Sequence, residues 1–259
     1  MLLFILTSVV PLNIKSMKNF NIVIPMAGRG SRFTEKRILT PKPLIDVNGQ
    51  PMIQRAIESL DIEGTWHFII RNDKHADRVR EIISSIKPGS RFIAIDYVTE
   101  GPANSVLLFK EQINNNDPLI VANCDQIMEW TSSRFLDYVD HYDGAVVTYH
   151  ADTDKNSYAR VNKHGLVQEI REKQVISNIS LNGIHYWRHG SYFVDSAEAM
   201  IAANDRAPNG EFYIGPSYNY MIKVHQTVGI YHIPNQMHNP VGVPDDLDRF
   251  IRYENSKTF

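Results

Sequence analysis

Asn21-Ile-Val-Ile-Pro25, running straight into Met26-Ala-Gly-Arg-Gly-Ser-Arg-Phe33, is an apolar segment of strand length that feeds a glycine loop. Glycine lets backbone N–H groups approach phosphate oxygens closely, and Arg29 and Arg32 stand in the same loop to neutralise them. A third cation, Lys42, follows in Pro41-Lys-Pro-Leu44. A GxG pair alone is more often a turn than a binding loop. Glycines, Arg32 and the PKPL segment together describe a cradle suited to a triphosphate.

Working outward, short apolar runs at 21–25, 66–70, 92–97, 119–122 and 145–149 alternate with amphipathic stretches at 52–60, 76–86, 102–112 and 133–141. That alternation predicts an α/β fold, a Rossmann-like, mostly parallel sheet flanked by helices on both faces. Pro102, directly after Gly101, suits a first helical position, where its missing N–H costs nothing. Beyond residue 149 the pattern becomes strand-rich, at 158–162, 166–171 and 183–187, then a helix at 194–203, a strand at 228–233 and a terminal helix at 246–253. No Pro/Gly-rich linker separates the halves. Residues 17–259 therefore read as a single domain, with ligands expected beyond the carboxyl ends of its parallel strands. Residues 1–16 read as an N-terminal extension before an alternative start at Met17, a signal or anchor segment being the competing reading.

The chain has 259 residues, 43% of them hydrophobic, enough for one sizeable core. A formal net charge of -2 gives no global basic field, which argues against nucleic acid as a partner and makes any phosphate affinity local. The single cysteine, Cys124, cannot form an internal disulfide, which fits a reducing, cytoplasmic compartment. It reads as a small packed residue, since no histidine adjoins it to activate a thiolate. The ten histidines show no ligand spacing; His185 and His189 straddle a strand end. No stretch approaches transmembrane length, so stable membrane insertion is not expected. The aromatic stretch 212–220 reads as core, with the wall of a binding pocket as the alternative.

The GxGSR loop followed by PKPL resembles the nucleotidyltransferases that make NDP-sugars and related activated metabolites, the family of glucose-1-phosphate thymidylyltransferase. The resemblance extends over residues 17–259. It implies a nucleotide-diphospho-sugar transferase-like fold with a strand-rich, acceptor-binding second half. It also implies an enzyme that uses Mg²⁺ to move NMP from an NTP to a small phosphorylated acceptor, releasing pyrophosphate. Carried over residue by residue, Ala27, Gly28, Gly30 and Ser31 cradle the nucleotide, Arg32 contacts the β- and γ-phosphates, and Lys42 the reacting phosphates. Asn123-Cys-Asp-Gln126, after an apolar run, resembles the strand end at which the family places a metal-binding Asp, so Asp125 becomes the expected Mg²⁺ ligand.

Asp96-Tyr-Val-Thr-Glu-Gly-Pro-Ala-Asn104 resembles the base-reading segment, which implicates Asp96 and Gly101. Relatives that use thymidine or uridine nucleotides carry Gln where Asp96 stands. A carboxylate only accepts hydrogen bonds, which fits cytosine N4, so CTP joins UTP and dTTP as a candidate. Glu172-Lys173 resembles the pair in which the Lys grips the acceptor phosphate and the Glu a hydroxyl, while Asn182 and Gly183 resemble further acceptor contacts. One departure stands out: Pro240 occupies the position of a second metal-binding Asp, with Asn239 as a neutral substitute, and a one-metal site is the alternative.

The acceptor expected first is a sugar 1-phosphate. A cytidylyltransferase acting on a non-sugar phosphorylated metabolite for capsule or surface decoration is second, and a homodimer is the expected assembly. Three other classes compete. An NAD(P)-dependent oxidoreductase lacks the third glycine of its fingerprint, Phe33 standing there. A GT-A glycosyltransferase would want a DxD motif where Asn123-Cys-Asp occurs. A nucleotide-binding module without turnover is prompted by the missing second Asp.

Overall fold

A computed structural model describes residues 19–257; the extension expected at 1–16 lies outside the described residues. The decisive stretch folds as strand β1 (Asn21–Pro25), a loop, and a five-residue helix α1 (Ser31–Glu35). Ile22 and Ile24 pack into one apolar cluster and Val23 into another, so β1 is buried on both faces, as a central parallel strand must be. A short hairpin, β2 (Asp46–Val47) with β3 (Gln50–Pro51), leads to α2 (Met52–Leu60), then β4 (Thr65–Arg71), α3 (Ala76–Ile86) and β5 (Arg91–Ile95). Met52, Ile53, Ala56, Ile57 and Leu60 recur at helical spacing on one buried stripe of α2. Both α2 and α3 keep the boundaries that periodicity predicts.

The helix expected over 102–112 is broken. α4 (Pro102–Leu107) and α5 (Lys110–Ile113) flank a tight turn in which Leu108 and Phe109 donate to Ser105 and Val106, three residues back. The chain continues through β6 (Leu119–Val121), β7 (Gln126–Met128), α6 (Ser132–Val139), β8 (Gly144–His150), β9 (Ser157–Val161), β10 (Val167–Glu172) and β11 (Ile179–Trp187). It ends with α7 (Gly190–Ala202), α8 (Tyr218–Lys223), β12 (Val228–His232), β13 (His238–Pro240) and α9 (Pro244–Lys257).

One mixed sheet carries the order β5-β4-β1-β6-β11-β8-β12, in which β11 alone runs against the rest, and β9 and β10 extend it from the start of β11. This is a mostly parallel sheet flanked by helices, as the alternation predicts. The strand-rich half joins it directly, because β11 lies between β6 and β8. β11 begins four residues before the expected strand at 183–187, and its register shifts between Leu181 and His185. The bulge falls on Asn182-Gly183, which from sequence alone resembles a turn.

β1 pairs with β4 on one side and β6 on the other, so connections depart in both directions at its carboxyl end. Such a switch point leaves a crevice between the departing loops. Tyr218 anchors the reversed strand: its ring stacks on Trp187 at 4.7 Å, and its O–H lies 3.0 Å from the carbonyls of both Ala145 and Tyr186. Tyr218→Phe keeps the stack and leaves those buried carbonyls without the donor. It should lower the unfolding free energy by about 1 kcal/mol, read as a shifted urea midpoint with an unchanged slope.

Two buried imidazoles make the core sensitive to acid. Burial, with the Arg91 charge adding to it, lowers His67 to about 4, and burial lowers His185 to about 3, from an ordinary 6.5. Below pH 6.5 the unfolded chain therefore takes up protons at these rings that the folded chain refuses. Their stabilising contribution is complete above pH 6.5 and is lost as pH falls towards the folded values, by about 1.4 kcal/mol per pH unit for each ring. Urea unfolding from pH 6.5 to 4.5 should show this loss, and His185→Phe should make the slope shallower by about one proton's worth.

Candidate active site

A cleft of about 1310 Å³ opens beyond the carboxyl ends of β1 and β6, lined at one end by Arg32 and Asp125 and at the other by Glu172 and Asn182. Single-ligand pockets run to about 1,000 Å³ at most, so this cleft has room for two substrates side by side.

The glycine loop leads into the cleft wall at Arg32; the expected nucleotide contacts Ala27, Gly28, Gly30 and Ser31 do not themselves line the cleft. The amides of Gly28, Arg29, Gly30 and Ser31 make no hydrogen bond among the described residues. Gly30 adopts φ 62°, a left-handed conformation that disfavours a side chain, and its missing Cβ leaves 3.4 Å to the Cβ of Lys42. A side chain at Gly28 would meet nothing within 4 Å, so packing within the chain does not require glycine there. Arg32 is exposed and lines the cleft, and Lys36 beside it pairs with Asp245 at 4.0 Å.

Pro41-Lys-Pro-Leu44 forms a 3-10 turn, with Leu44 N–H donating to Pro41 at 2.8 Å, and Pro43 is buried beneath it. This rigid turn delivers the Lys42 ammonium onto Asp125 Oδ2, in an ion pair whose side chains are each 23% exposed. Burial alone would lower the Lys42 pKa, but the Asp125 charge and hydrogen bond outweigh it and the net direction is upward, so the ammonium stays charged. Cys124, next along the chain, is pushed up to about 12 by burial and stays a thiol. It is a packed residue, as expected.

A strap from the C-terminal region closes over this pair. β13 runs antiparallel to β7, and Val241 N–H donates to the Asp125 carbonyl at 2.9 Å. A Cβ on Gly242 would lie 2.2 Å from Asp125 Oδ2 and 3.4 Å from Lys42 Nζ, so only glycine lets the strap pass this close. Along the strap His238, Pro240 and Gly242 line the cleft, whereas Val241 packs into the core. Asn239, the expected substitute metal ligand, alternates away from the cleft, and its Nδ2 is buried with no hydrogen-bond partner among the described residues. Among the described residues no group of three or more His, Cys, Asp or Glu could hold a metal by itself. The donor set still fits Mg²⁺, which is commonly held by one or two carboxylates with substrate phosphates completing its shell.

The other end of the cleft is built by strand register. β10 pairs with β9 so that Glu172 faces Ser157, whose hydroxyl donates to the carboxylate. Burial raises the Glu172 carboxyl above its ordinary value, with the Ser157 hydrogen bond and the Lys173 charge pulling the other way. Lys173 leaves the strand at φ 55° and turns its ammonium to the Tyr213 hydroxyl at 2.9 Å. It is Tyr213, not Lys173, that lines the cleft. Asn182 and Gly183 line it as well, and a Cβ on Gly183 (φ 94°) would strike the Asn123 amide at 2.0 Å. The β11 bulge thus seats the second half of the chain against the loop that carries Asp125.

The expected base-reading segment is divided. Asp96 lies just past the end of β5, exposed and off the cleft wall, whereas Pro102 lines it. Gly101 (φ 146°) caps α4 where a Cβ would strike the Phe212 carbonyl at 2.4 Å. The aromatic stretch 212–220 splits too: Phe212 and Tyr218 are core, and Tyr213 is cleft wall. Sequence reading placed Asn239 and Pro240 near the metal position but missed the close cover of Asp125 by Gly242, Ser157, and the two histidines of the wall, His185 and His238. His238 packs against Tyr149 with ring centroids 4.1 Å apart, and burial lowers it to about 4, with Asp125 pulling upward. Strand pairings bring these residues to the cleft: β9–β10 for Ser157, β11 with β6 and β8 for His185, and β7–β13 for His238.

The same region carries the likeness to known proteins. A model of the MobA-like NTP transferase domain matches residues 22–184. The catalytic subunit beta of mannose-1-phosphate guanylyltransferase from Xenopus tropicalis is 26% identical over 131 residues, which are 48% of this chain and 36% of that protein. The chain thus spans about a third of the length of that curated relative. A nucleoside-diphosphate-sugar pyrophosphorylase from Vibrio cholerae RC9 superposes with a TM-score of 0.78 at 25% identity, over 89% of this chain and 99% of that one. An inositol-1-phosphate CTP transferase from T. maritima shares the fold, with a TM-score of 0.68 at 14% identity over 90% and 96% of the two chains. With the matched residues running from β1 through Asp125 to the bulge at Gly183, the chain belongs to the MobA-like NTP transferase domain family.

Proposed function

We propose that the protein is a nucleotidyltransferase that moves NMP from an NTP to a phosphorylated acceptor, first a sugar 1-phosphate, with release of pyrophosphate. The observation that carries this reading is the pairing of Lys42 with Asp125, which shares with Arg32 the wall of a cleft large enough for two substrates. Residues 17–259 act as one catalytic domain on this reading, in the cytoplasm and as a homodimer. No helix among the described residues is long and apolar enough to cross a membrane.

In the proposed reaction an acceptor phosphate oxygen attacks the α-phosphorus in line, and pyrophosphate leaves. A phosphate monoester is already nucleophilic at neutral pH, so no general base or covalent intermediate is required. The amides of Ala27, Gly28, Gly30 and Ser31 orient the triphosphate, Arg32 meets the charge growing on the leaving pyrophosphate, and Lys42 meets that around the α-phosphorus. Asp125 would hold Mg²⁺, which when bound supplies charge neutralisation to the triphosphate. Glu172, Asn182 and the Gly183 backbone would hold the acceptor's hydroxyls. Lys173 would reach its phosphate after leaving Tyr213.

Base selection falls to the Gly101 and Pro102 end of the cleft, because Asp96 is exposed and off its wall. CTP, UTP and dTTP therefore all stay in the reading. A cytidylyltransferase acting on a non-sugar phosphorylated metabolite, for capsule or surface decoration, is the second reading. It is favoured by Pro240 at the position of the absent Asp and by the fold shared with an inositol-1-phosphate CTP transferase.

A matrix of NTPs against phosphorylated acceptors, read by pyrophosphate release with Mg²⁺, tests both readings. Nucleotide binding with no release from any combination would favour a module without turnover. For the productive pair, Lys42→Ala and Asp125→Ala should each cut release on the order of 100-fold or more, since each removes a transition-state contact. Release near the wild-type rate from either folded variant would contradict the assignment.

A further inference from the structure

The ion pair raises a question of access. Asp125 Oδ2 accepts a hydrogen bond from the Lys42 ammonium, so a divalent cation binding this carboxylate would have to face the ammonium charge at close range. Approach from the strap side is closed, because the Gly242 backbone passes so near that a Cβ would lie 2.2 Å from that oxygen. Lys42 pairs with Asp125 and Arg32 is near enough to act on the charge of Lys42, while Glu35, Asp245 and Asp246 also stand on the cleft wall. At Asp125 the Lys42 ammonium offsets the pull of the carboxylate on a bare divalent cation, whereas a nucleoside triphosphate offers Lys42 phosphate oxygens in exchange for Asp125.

We propose that Lys42 guards the Asp125 carboxylate, so that the divalent cation enters the site only together with the nucleotide. This rests on the reading of Asp125 as the metal ligand of a nucleotidyltransferase and adds a second role for Lys42. Moving the ammonium from Asp125 to the phosphates frees the metal oxygen and places the cation of the transition state in one motion. The turn at Pro41-Lys-Pro-Leu44 holds the Lys42 backbone throughout, so the exchange needs only side-chain rotation. The guard also keeps the carboxylate from capturing a stray divalent ion before substrate arrives.

Equilibrium dialysis of Mn²⁺ against the full chain tests this without any turnover. Wild-type protein should bind no stoichiometric Mn²⁺ when the metal is alone. Lys42→Met, which keeps the packed stem and removes the charge, should bind it roughly tenfold tighter or more. Adding Asp125→Asn to Lys42→Met should abolish the gain. Lys36→Ala, which removes a cleft cation paired elsewhere, should behave as wild type. If Lys42→Met does not fold by circular dichroism, Lys42→Gln replaces it. Wild-type protein binding Mn²⁺ alone as tightly as the uncharged variant would overturn the guard and leave the functional reading standing. Dialysis with CTP, UTP or dTTP in turn should retain metal and nucleotide together on the wild type. Retention with none of them would overturn the functional reading, and the guard with it.

Discussion

The contact between Lys42 and Asp125 ties the turn that follows α1 to the loop that follows β6. Strands β1 and β6 are parallel neighbours, so their carboxyl ends stand side by side and the segments leaving them share one small volume. Three elements meet there: the Pro41-Lys-Pro-Leu44 turn, the Asn123-Cys-Asp segment and the strap at Gly242. A cation carried into such a partly buried place needs a carboxylate, and the carboxylate needs the cation. Ion pairs of this kind add little net stability, because desolvation offsets most of the Coulomb attraction. What the pair fixes is position: the cation and the carboxylate of the proposed reaction sit within one contact of each other on rigid elements.

How much of this is legible in the sequence depends on how local its cause is. β1, β4 and β6 are apolar runs of strand length, and α2 and α3 carry their buried residues at helical spacing, so each element shows itself within a dozen residues. The pair formed by β7 and β13 does not. Each strand has three residues, and they pair across more than a hundred positions, so nothing near Asp125 announces that Gly242 will cover it. Boundaries fail for related reasons. Phe109 is nearly fully buried against the ring of His67, and a tight turn there divides what periodicity describes as one helix.

Adjacent site residues separate for an equally simple reason. Glu172 and Lys173 are neighbours in sequence, but neighbours on a strand point to opposite faces. β10 ends at Glu172, and the left-handed residue after it swings Lys173 behind Tyr213. A motif read as a pair therefore delivers one side chain to the cleft directly and the other through an intermediary. The Asp96 expectation meets the same limit. Its distance from Gly101 along the chain matches a base-reading pattern, yet spacing says nothing about the turn after Ile95 that leaves the side chain in solvent.

The two ends of the cleft differ in what they can do with charge. Around Lys42 the groups are ionised and paired, whereas around His185 and Glu172 burial favours the neutral imidazole and works against the ionised carboxyl. A neutral imidazole can donate or accept a hydrogen bond but cannot neutralise a phosphate. On the proposed reading the acceptor's phosphate must therefore look to lysines and arginines: Lys173, once it leaves Tyr213, and Lys155 and Arg249 on the cleft wall. The uncharged part of the acceptor is left to Glu172, Asn182 and His185. Such a division orients the acceptor: its phosphate follows the cations, its hydrogen-bonding body lies against Glu172, Asn182 and His185, and the reverse placement would put a dianion against a neutral imidazole and a buried carboxyl.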